Sequence, residues 1–248
     1  MAKIVVINPT ISHEWDTLNL EHLRMRAAPG TQLEIVSLDW GPASIEARVD
    51  DDLAAPGVMR CAIQAEREGA QAILIYCMND PGLTATREMV KIPVVGPAQA
   101  SMHLAAMLSH RFSIVTTGMN DIPVVEELVA RYHMTGRLAS VRAIDIPVLE
   151  LDAQVETSRE AVVSVAEAAV LHDGAGAIIL GCTLLADLAP QIRSSLSDRG
   201  IDVPLINPAL AALRLAETLA ALGLSHSPRT YAPPGDKALF WPEPLPLE

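Results

Sequence analysis

Ile92-Pro93-Val94-Val95-Gly96-Pro97-Ala98 and Val203-Pro204-Leu205-Ile206-Asn207-Pro208-Ala209 are one pattern written twice. In each, a proline leads into two apolar residues, and a second proline followed by alanine opens an apolar helical pattern. Proline is tolerated at the first residue of a strand and in the first turn of a helix, so each copy reads as a short strand turning directly into a helix. The helical positions behind them also agree: Ala100, Leu104 and Ala105 match Ala211, Leu215 and Ala216. The copies lie 111 residues apart, from 92 to 203. Two α/β units can share composition by chance; the common Pro-apolar-apolar-x-Pro-Ala spacing favours an internal repeat.

The repeat extends outward. Ile73-Leu74-Ile75-Tyr76 ends in Cys77, and Ile178-Ile179-Leu180-Gly181 ends in Cys182, 105 residues later. The strand over 4–7 is matched with one near 114–117. Strands are expected over 4–7, 32–38, 73–76, 94–95, 113–117, 139–144, 177–180 and 204–206. Helices are expected over 14–27, 53–68, 83–90, 124–132, 157–172, 185–196 and 209–222. Continuous apolar strands alternating with helices mean parallel sheets covered on both faces. The expected fold is therefore α/β, with two pseudo-symmetric domains, each a mostly parallel sheet flanked by helices, and a cleft between them. Residues 1–97 with a returning helix at 209–224 make the first domain, and 98–208 the second. Residues 225–248, interrupted by Pro228, Pro233, Pro234, Pro242, Pro244 and Pro246, make an extended arm anchored by Phe240 and Trp241.

The chain has 248 residues, enough for one large or two modest α/β domains. Half of it is hydrophobic and only 3% aromatic, so the core should be aliphatic. No apolar run reaches the roughly 18 residues of a membrane span, and the first residues lead straight into a strand pattern. A net charge of −12 without a basic stripe argues against nucleic acid. Three widely spaced cysteines do not form a disulfide framework, and the cytoplasm is the expected compartment.

Cys77 and Cys182 sit where strands should stop and helices begin, at corresponding places in the two halves. Ligands of open α/β sheets bind at the carboxyl ends of the strands, where Asn8-Pro9 and Thr116-Thr117 also fall. Two thiols facing each other across a pseudo-twofold axis suit a proton exchange on carbon, one taking a proton while the other delivers one to the opposite face. The positive end of a following helix can lower a thiol pKa from its ordinary value of about 8.5, and the same N–H groups can hold an oxyanion. Either cysteine alone reads first as a buried hydrophobe, as Cys61 does from its helical spacing with Val58, Ala62 and Ala65, and only the paired positions favour chemistry. Asn8 and Ser12 could bind a substrate carbonyl or carboxylate, or merely cap the next helix. Thr116, Thr117, Asn79 and Thr183 are candidate donors to a substrate. Asp80, before Pro81-Gly82, is expected to build a turn, and Asp50-Asp51-Asp52 to be a solvated helix start. No zinc spacing, glycine-rich dinucleotide loop or phosphate loop is present, so neither a metal nor a cofactor is expected.

At these residues the chain resembles the aspartate/glutamate racemase superfamily, and within it the hydantoin (allantoin-type) racemase group. Cys77-Met78-Asn79-Asp80-Pro81-Gly82-Leu83 with Arg87-Glu88, Pro93-Val94-Val95-Gly96 and Met102-His103-Leu104-Ala105 carry the likeness. So do the stretch from Arg111 to Thr117, and Leu180-Gly181-Cys182 with Ala186-Asp187-Leu188. The resemblance implies a cofactor-free two-cysteine racemase acting on a small molecule, as a homo-oligomer. It implies Cys77 and Cys182 as the acid/base pair, and Asn8, Ser12, Asn79, Thr117 and Thr183 as substrate contacts. Three loops depart from the group: Asn8-Pro9-Thr10-Ile11-Ser12 for Asn-Pro-Asn-Thr-Ser, Thr183-Leu184-Leu185 for Ala-Gly-Met, and Asn207-Pro208 for Asp-Gly. The expected reaction is inversion of a carbon beside a carbonyl, in a 5-substituted hydantoin or a related cyclic ureide. Free amino acids or unsaturated diacids as substrates, decarboxylation, and non-catalytic binding are the alternatives.

Overall fold

The computed structural model describes residues 2–151 and 153–235. Strands β1 (Lys3–Asn8), β2 (Gln32–Ser37), β3 (Ala72–Ile75) and β4 (Val94–Val95) form one parallel sheet in the order β2-β1-β3-β4. Strands β5 (Phe112–Thr116), β6 (Leu138–Ala143), β7 (Ile178–Leu180) and β8 (Leu205–Ile206) form a second, in the order β6-β5-β7-β8. The helices of the first half are α1 (Asp16–Arg26), α2 (Arg48–Arg67), α3 (Leu83–Met89) and α4 (Pro97–Leu108). Those of the second are α5 (Asp121–Arg131), α6 (Val155–Asp173), α7 (Ala189–Asp198) and α8 (Pro208–Leu222). Two like sheets, each parallel and flanked by helices, are the architecture expected from the pattern.

Hydrogen-bond register returns both sequence offsets. Val94 pairs with Ile73 in the first sheet and Leu205 with Ile178 in the second, so 73 corresponds to 178 and 94 to 205. The match of the first strands moves by two residues. Val5 pairs with Ile73 and Ser113 with Ile178, so 4–7 corresponds to 112–115 rather than to 114–117. Runs of aliphatic residues can be slid past one another in a sequence, whereas the ladder of hydrogen bonds fixes one register. The correction makes Asn8 the counterpart of Thr116.

Two helix boundaries also differ from expectation, each for a local reason. Helix α2 begins at Arg48 because the Asp50 carboxylate accepts hydrogen bonds from the Glu46 and Ala47 backbone N–H groups at 3.0 and 2.9 Å. The helix expected over 185–196 is divided into a 3₁₀ segment, Thr183–Leu188, and α7. Pro190 fits only the first turn of a helix, so a new one starts at Ala189.

The halves exchange helices. Helix α4 leaves the first sheet and packs on β5 and β7, while α8 leaves the second and packs on β3 and β4. The two helices also pack on each other. One core accordingly joins Val5, Ile7, Ile73 and Ile75 to Met102, Ala105, Phe112 and Ile114, across both sheets. Asp80 adds a polar tie to this seam. Its carboxylate accepts from the Ala98 and Gln99 N–H groups at 3.0 Å each and from the Tyr132 hydroxyl at 2.6 Å. The loop after β3 is thereby bound to the start of α4 and the end of α5, a role beyond the expected turn.

Residues 225–235 form no helix, and the segment lies along β4. Val94 N–H donates to His226 Nε2 at 2.8 Å, the Ser225 hydroxyl donates to the Lys91 carbonyl, and Arg87 donates to the Tyr231 hydroxyl at 3.2 Å. The arm thus covers an edge strand, with His226 and Tyr231 as its anchors. The expected anchors Phe240 and Trp241 lie outside the described residues. Among the described residues, no helix is long and apolar enough to cross a membrane.

Strands β5 and β7 meet too closely for a side chain at Gly181. A Cβ there would stand 2.7 Å from the Val115 carbonyl oxygen and 2.8 Å from the Thr116 Cα. Gly181→Ala must therefore part the strands directly beneath Cys182, at an expected cost of about 1–3 kcal/mol in urea unfolding. An unchanged unfolding midpoint would show that the sheet yields freely at this point.

Candidate active site

The strand orders create two switch points. From β1 the chain moves to β2 on one side and later to β3 on the other, so the loops after β1 and β3 diverge and leave a crevice. The same divergence occurs between β5 and β7. Asn8 ends β1, Cys77 follows β3, Thr116 ends β5 and Cys182 follows β7. All four line one cavity that opens to solvent at its mouth.

Of the residues expected at the site, Cys77, Cys182, Asn8, Asn79, Thr116, Thr117 and Thr183 line this cavity. Ser12 does not. Its hydroxyl faces the Glu14 N–H at 3.4 Å and its carbonyl accepts from Asn8, so it serves the loop. Asn207, one of the departures noted above, is also outside the lining. Its side chain accepts from Leu210 N–H at 3.1 Å to cap α8 and donates to the Ala186 carbonyl at 2.9 Å.

The two cysteines keep partial exposure through the cavity, and protein surrounds them on their other sides. Backbone N–H groups do reach the sulfurs, Asn79 at Cys77 and Leu184 and Leu185 at Cys182, and they pull the thiol pKa values down. Burial outweighs them. It holds Cys77 well above the ordinary thiol range, helped by the nearby Asp51 carboxylate, and pushes Cys182 up to about 11. A net lowering by the helix ends, expected from the sequence, is therefore corrected: both sulfurs rest as thiols, and either becomes a strong base once ionised.

The polar residues around them are already engaged. Asn8 Nδ2 donates to the Ser12 carbonyl, Asp16 Oδ1 and Ser37 Oγ at 2.8, 2.9 and 3.0 Å, and its Oδ1 accepts from the Thr10 hydroxyl at 3.1 Å. Asn79 donates to Asp51 at 3.2 Å. The Thr116 and Thr117 hydroxyls both donate to Asp121 Oδ2, at 3.1 and 2.9 Å, so they offer a ligand lone pairs rather than protons. Their expected role as donors to a substrate is revised accordingly. Asp121, Thr10, Asn19, Tyr76, Ser44 and Val148 complete much of the wall and were not singled out from the sequence. Asp121 had a signal, because an acidic residue opens the helix that follows Thr116-Thr117-Gly118. Val148 and Ser44 had none, since only folding brings their loops over the cleft. The Glu46 carboxylate, accepting from Val148 N–H at 3.3 Å, joins those loops across it.

Residues 4–216 match the model of the Asp/Glu/Hydantoin racemase family. The chain belongs to this family. It is 38% identical to a hydantoin racemase of Pseudomonas sp. (strain NS671) over 237 residues, 95% of this chain and 93% of that one. A hydantoin racemase of Rhizobium meliloti is 35% identical over 236 residues, covering 95% and 96% of the two chains. Among solved structures, an allantoin racemase from Klebsiella pneumoniae superposes with a TM-score of 0.90 at 38% identity, covering 97% of this chain and 96% of that one. The racemase family accounts for the paired sheets and for the cleft on which the motifs converge.

Asp51 behaves unlike the solvated helix start expected of it. It is half-buried, its Oδ1 has no hydrogen-bond partner among the described residues, and burial raises its pKa to about 7 against the pull of Asn79. A carboxyl whose folded pKa is raised is tolerated best when protonated, so the protein loses stability as pH rises from about 4 through 7. Asp51→Asn should therefore gain about 1–2 kcal/mol at pH 8, after discounting for solvent screening, and the gain should shrink toward pH 4. Urea unfolding at both pH values checks this, and a gain independent of pH would contradict it.

Proposed function

We propose that this chain is a cofactor-independent racemase that inverts the carbon beside a carbonyl in a small neutral cyclic ureide, a 5-substituted hydantoin or allantoin. The observation that carries the reading is that Cys77 and Cys182, at equivalent positions of the two halves, line a single cavity. In each direction one sulfur, as thiolate, takes the proton from the reacting carbon and becomes a thiol. The electron pair moves into the carbonyl as an enolate. The opposite thiol then gives its proton to the other face and becomes the thiolate, so the protonation states of the pair are exchanged and no net proton is consumed. The Asn79 N–H stabilises the anion at Cys77, and the Leu184 and Leu185 N–H groups stabilise it at Cys182. The raised pKa values support the role, because a thiolate of high proton affinity is the better base toward carbon.

Charge supports the substrate class. Among the described residues that line the cavity there is no lysine, arginine or histidine, and Asp121 contributes a carboxylate. The carboxylate of a free amino acid, or the two of a diacid, would find no cationic partner in this wall, whereas a ureide ring brings no carboxylate. The names of the hydantoin and allantoin racemases that this chain resembles point the same way. Three free cysteines suit a reducing cytoplasm, and the exposed Leu104, Leu108 and Leu215 on α4 and α8 suit a homo-oligomer.

Cys77→Ser and Cys182→Ser should each fold and lose at least a thousandfold in racemisation, followed by polarimetry in heavy water with hydantoins, allantoin and free amino acids. Wild-type protein should take up solvent deuterium at the inverted carbon. Full inversion in either serine variant would refute the two-thiol exchange. With both thiols raised, kcat/KM should climb with pH, and its acid limb should have a midpoint above 8.5, the ordinary value. A midpoint below 7 would mean that neither thiol is the base.

A further inference from the structure

The two oxygens of Asp121 are used differently. Asp121 is the first residue of α5 and is buried against the cavity. Its Oδ2 accepts three hydrogen bonds, from the Thr116 hydroxyl at 3.1 Å, the Thr117 hydroxyl at 2.9 Å and the Gly118 N–H at 2.9 Å. Its Oδ1 has no hydrogen-bond partner among the described residues and is not one of the fully buried atoms left without a bond, so it keeps some exposure on a residue that lines the cavity. A carboxylate held this firmly by one oxygen cannot turn away from what occupies the site. The two threonines have spent their protons on it, so this part of the wall presents lone pairs only.

We infer that Asp121 is a specificity-determining residue, whose free oxygen accepts a ring N–H of the substrate and whose charge bars ligands carrying a carboxylate. The inference rests on the cyclic-ureide reading above and adds the residue that enforces it. A ureide ring carries N–H groups beside its carbonyls, and an ionised acceptor makes the stronger kind of hydrogen bond to them. The ring-opened counterpart, a carbamoyl amino acid, has similar size and the same urea group but ends in a carboxylate. It would meet Asp121 with no cation in the wall to offset the repulsion. Of the other acidic groups near the site, Glu46 faces Val148 and Asp51 faces Asn79. Asp121 is also one of the charges that press on Cys182, together with Glu46.

Asp121→Asn tests this, because an amide keeps an oxygen for the two threonines and replaces the free acceptor with an N–H donor. The KM for the ureide substrate should rise at least tenfold with a smaller change in kcat. The carbamoyl amino acid of the same side chain, weak against wild-type protein, should bind the variant at least tenfold more tightly by calorimetry. In a Cys77→Ser background, the pH midpoint for iodoacetamide alkylation of Cys182 should move down when Asp121 is replaced. Thr117→Val, which keeps the charge, should leave the carbamoyl amino acid excluded. If the amide variant does not fold, as judged by its thermal melt, Asp121→Ser takes its place, and the same binding gain is required. Should wild-type protein invert no ureide, the substrate reading fails by itself, and Asp121 is judged on binding and alkylation alone. Unchanged binding of the carbamoyl amino acid and an unchanged Cys182 midpoint would overturn the inference.

Discussion

Parallel strands send all their carboxyl ends one way, and in this protein two such sheets bring those ends to one hollow. The site depends on that constraint. Asn8, Cys77, Thr116 and Cys182 reach the cavity because each terminates or follows a strand adjoining a switch point. The exchange of α4 and α8 between the sheets keeps the hollow in shape, since a core that spans both halves resists their sliding apart. Asp80 reinforces it with charge-assisted bonds to the N–H groups of α4 and the hydroxyl of Tyr132.

Within the hollow, two electrostatic effects of opposite sign act on the same sulfurs. Removal from water disfavours a thiolate, and fixed N–H groups favour it. The first prevails, so the thiols rest protonated beside groups already arranged to receive charge. Acidic neighbours add to the effect, Asp51 at Cys77 and Asp121 with Glu46 at Cys182. Among the described residues, the wall carries the Asp121 carboxylate and no cationic side chain, which is the ground for the ureide proposal.

Much of this could be read from residue order. The Pro-apolar-apolar-x-Pro-Ala repeat gave the paired architecture, and the two cysteine-ended strands gave the place where the halves meet. Seven of the eight residues expected at the site line the cavity, because strand ends are visible in sequence and ligands gather there. Ser12 escaped the pattern because loop direction depends on what the loop packs against. The two-residue slip in matching β1 to β5 has a similar origin: Val and Ile runs look alike until a hydrogen-bond ladder chooses among them.

Sequence alone determined which segments become strands, that they come in two equivalent sets, and which side chains stand at their ends. These follow from local periodicity and from the fixed backbone of proline. Tertiary structure decided what those side chains do. It turned the threonine hydroxyls onto Asp121, placed Asp51 in a half-buried pocket instead of in water, and reversed the expected shift of both thiols. Each of these depends on the distance between residues far apart in the chain and on how much water remains between them. A linear pattern carries neither quantity.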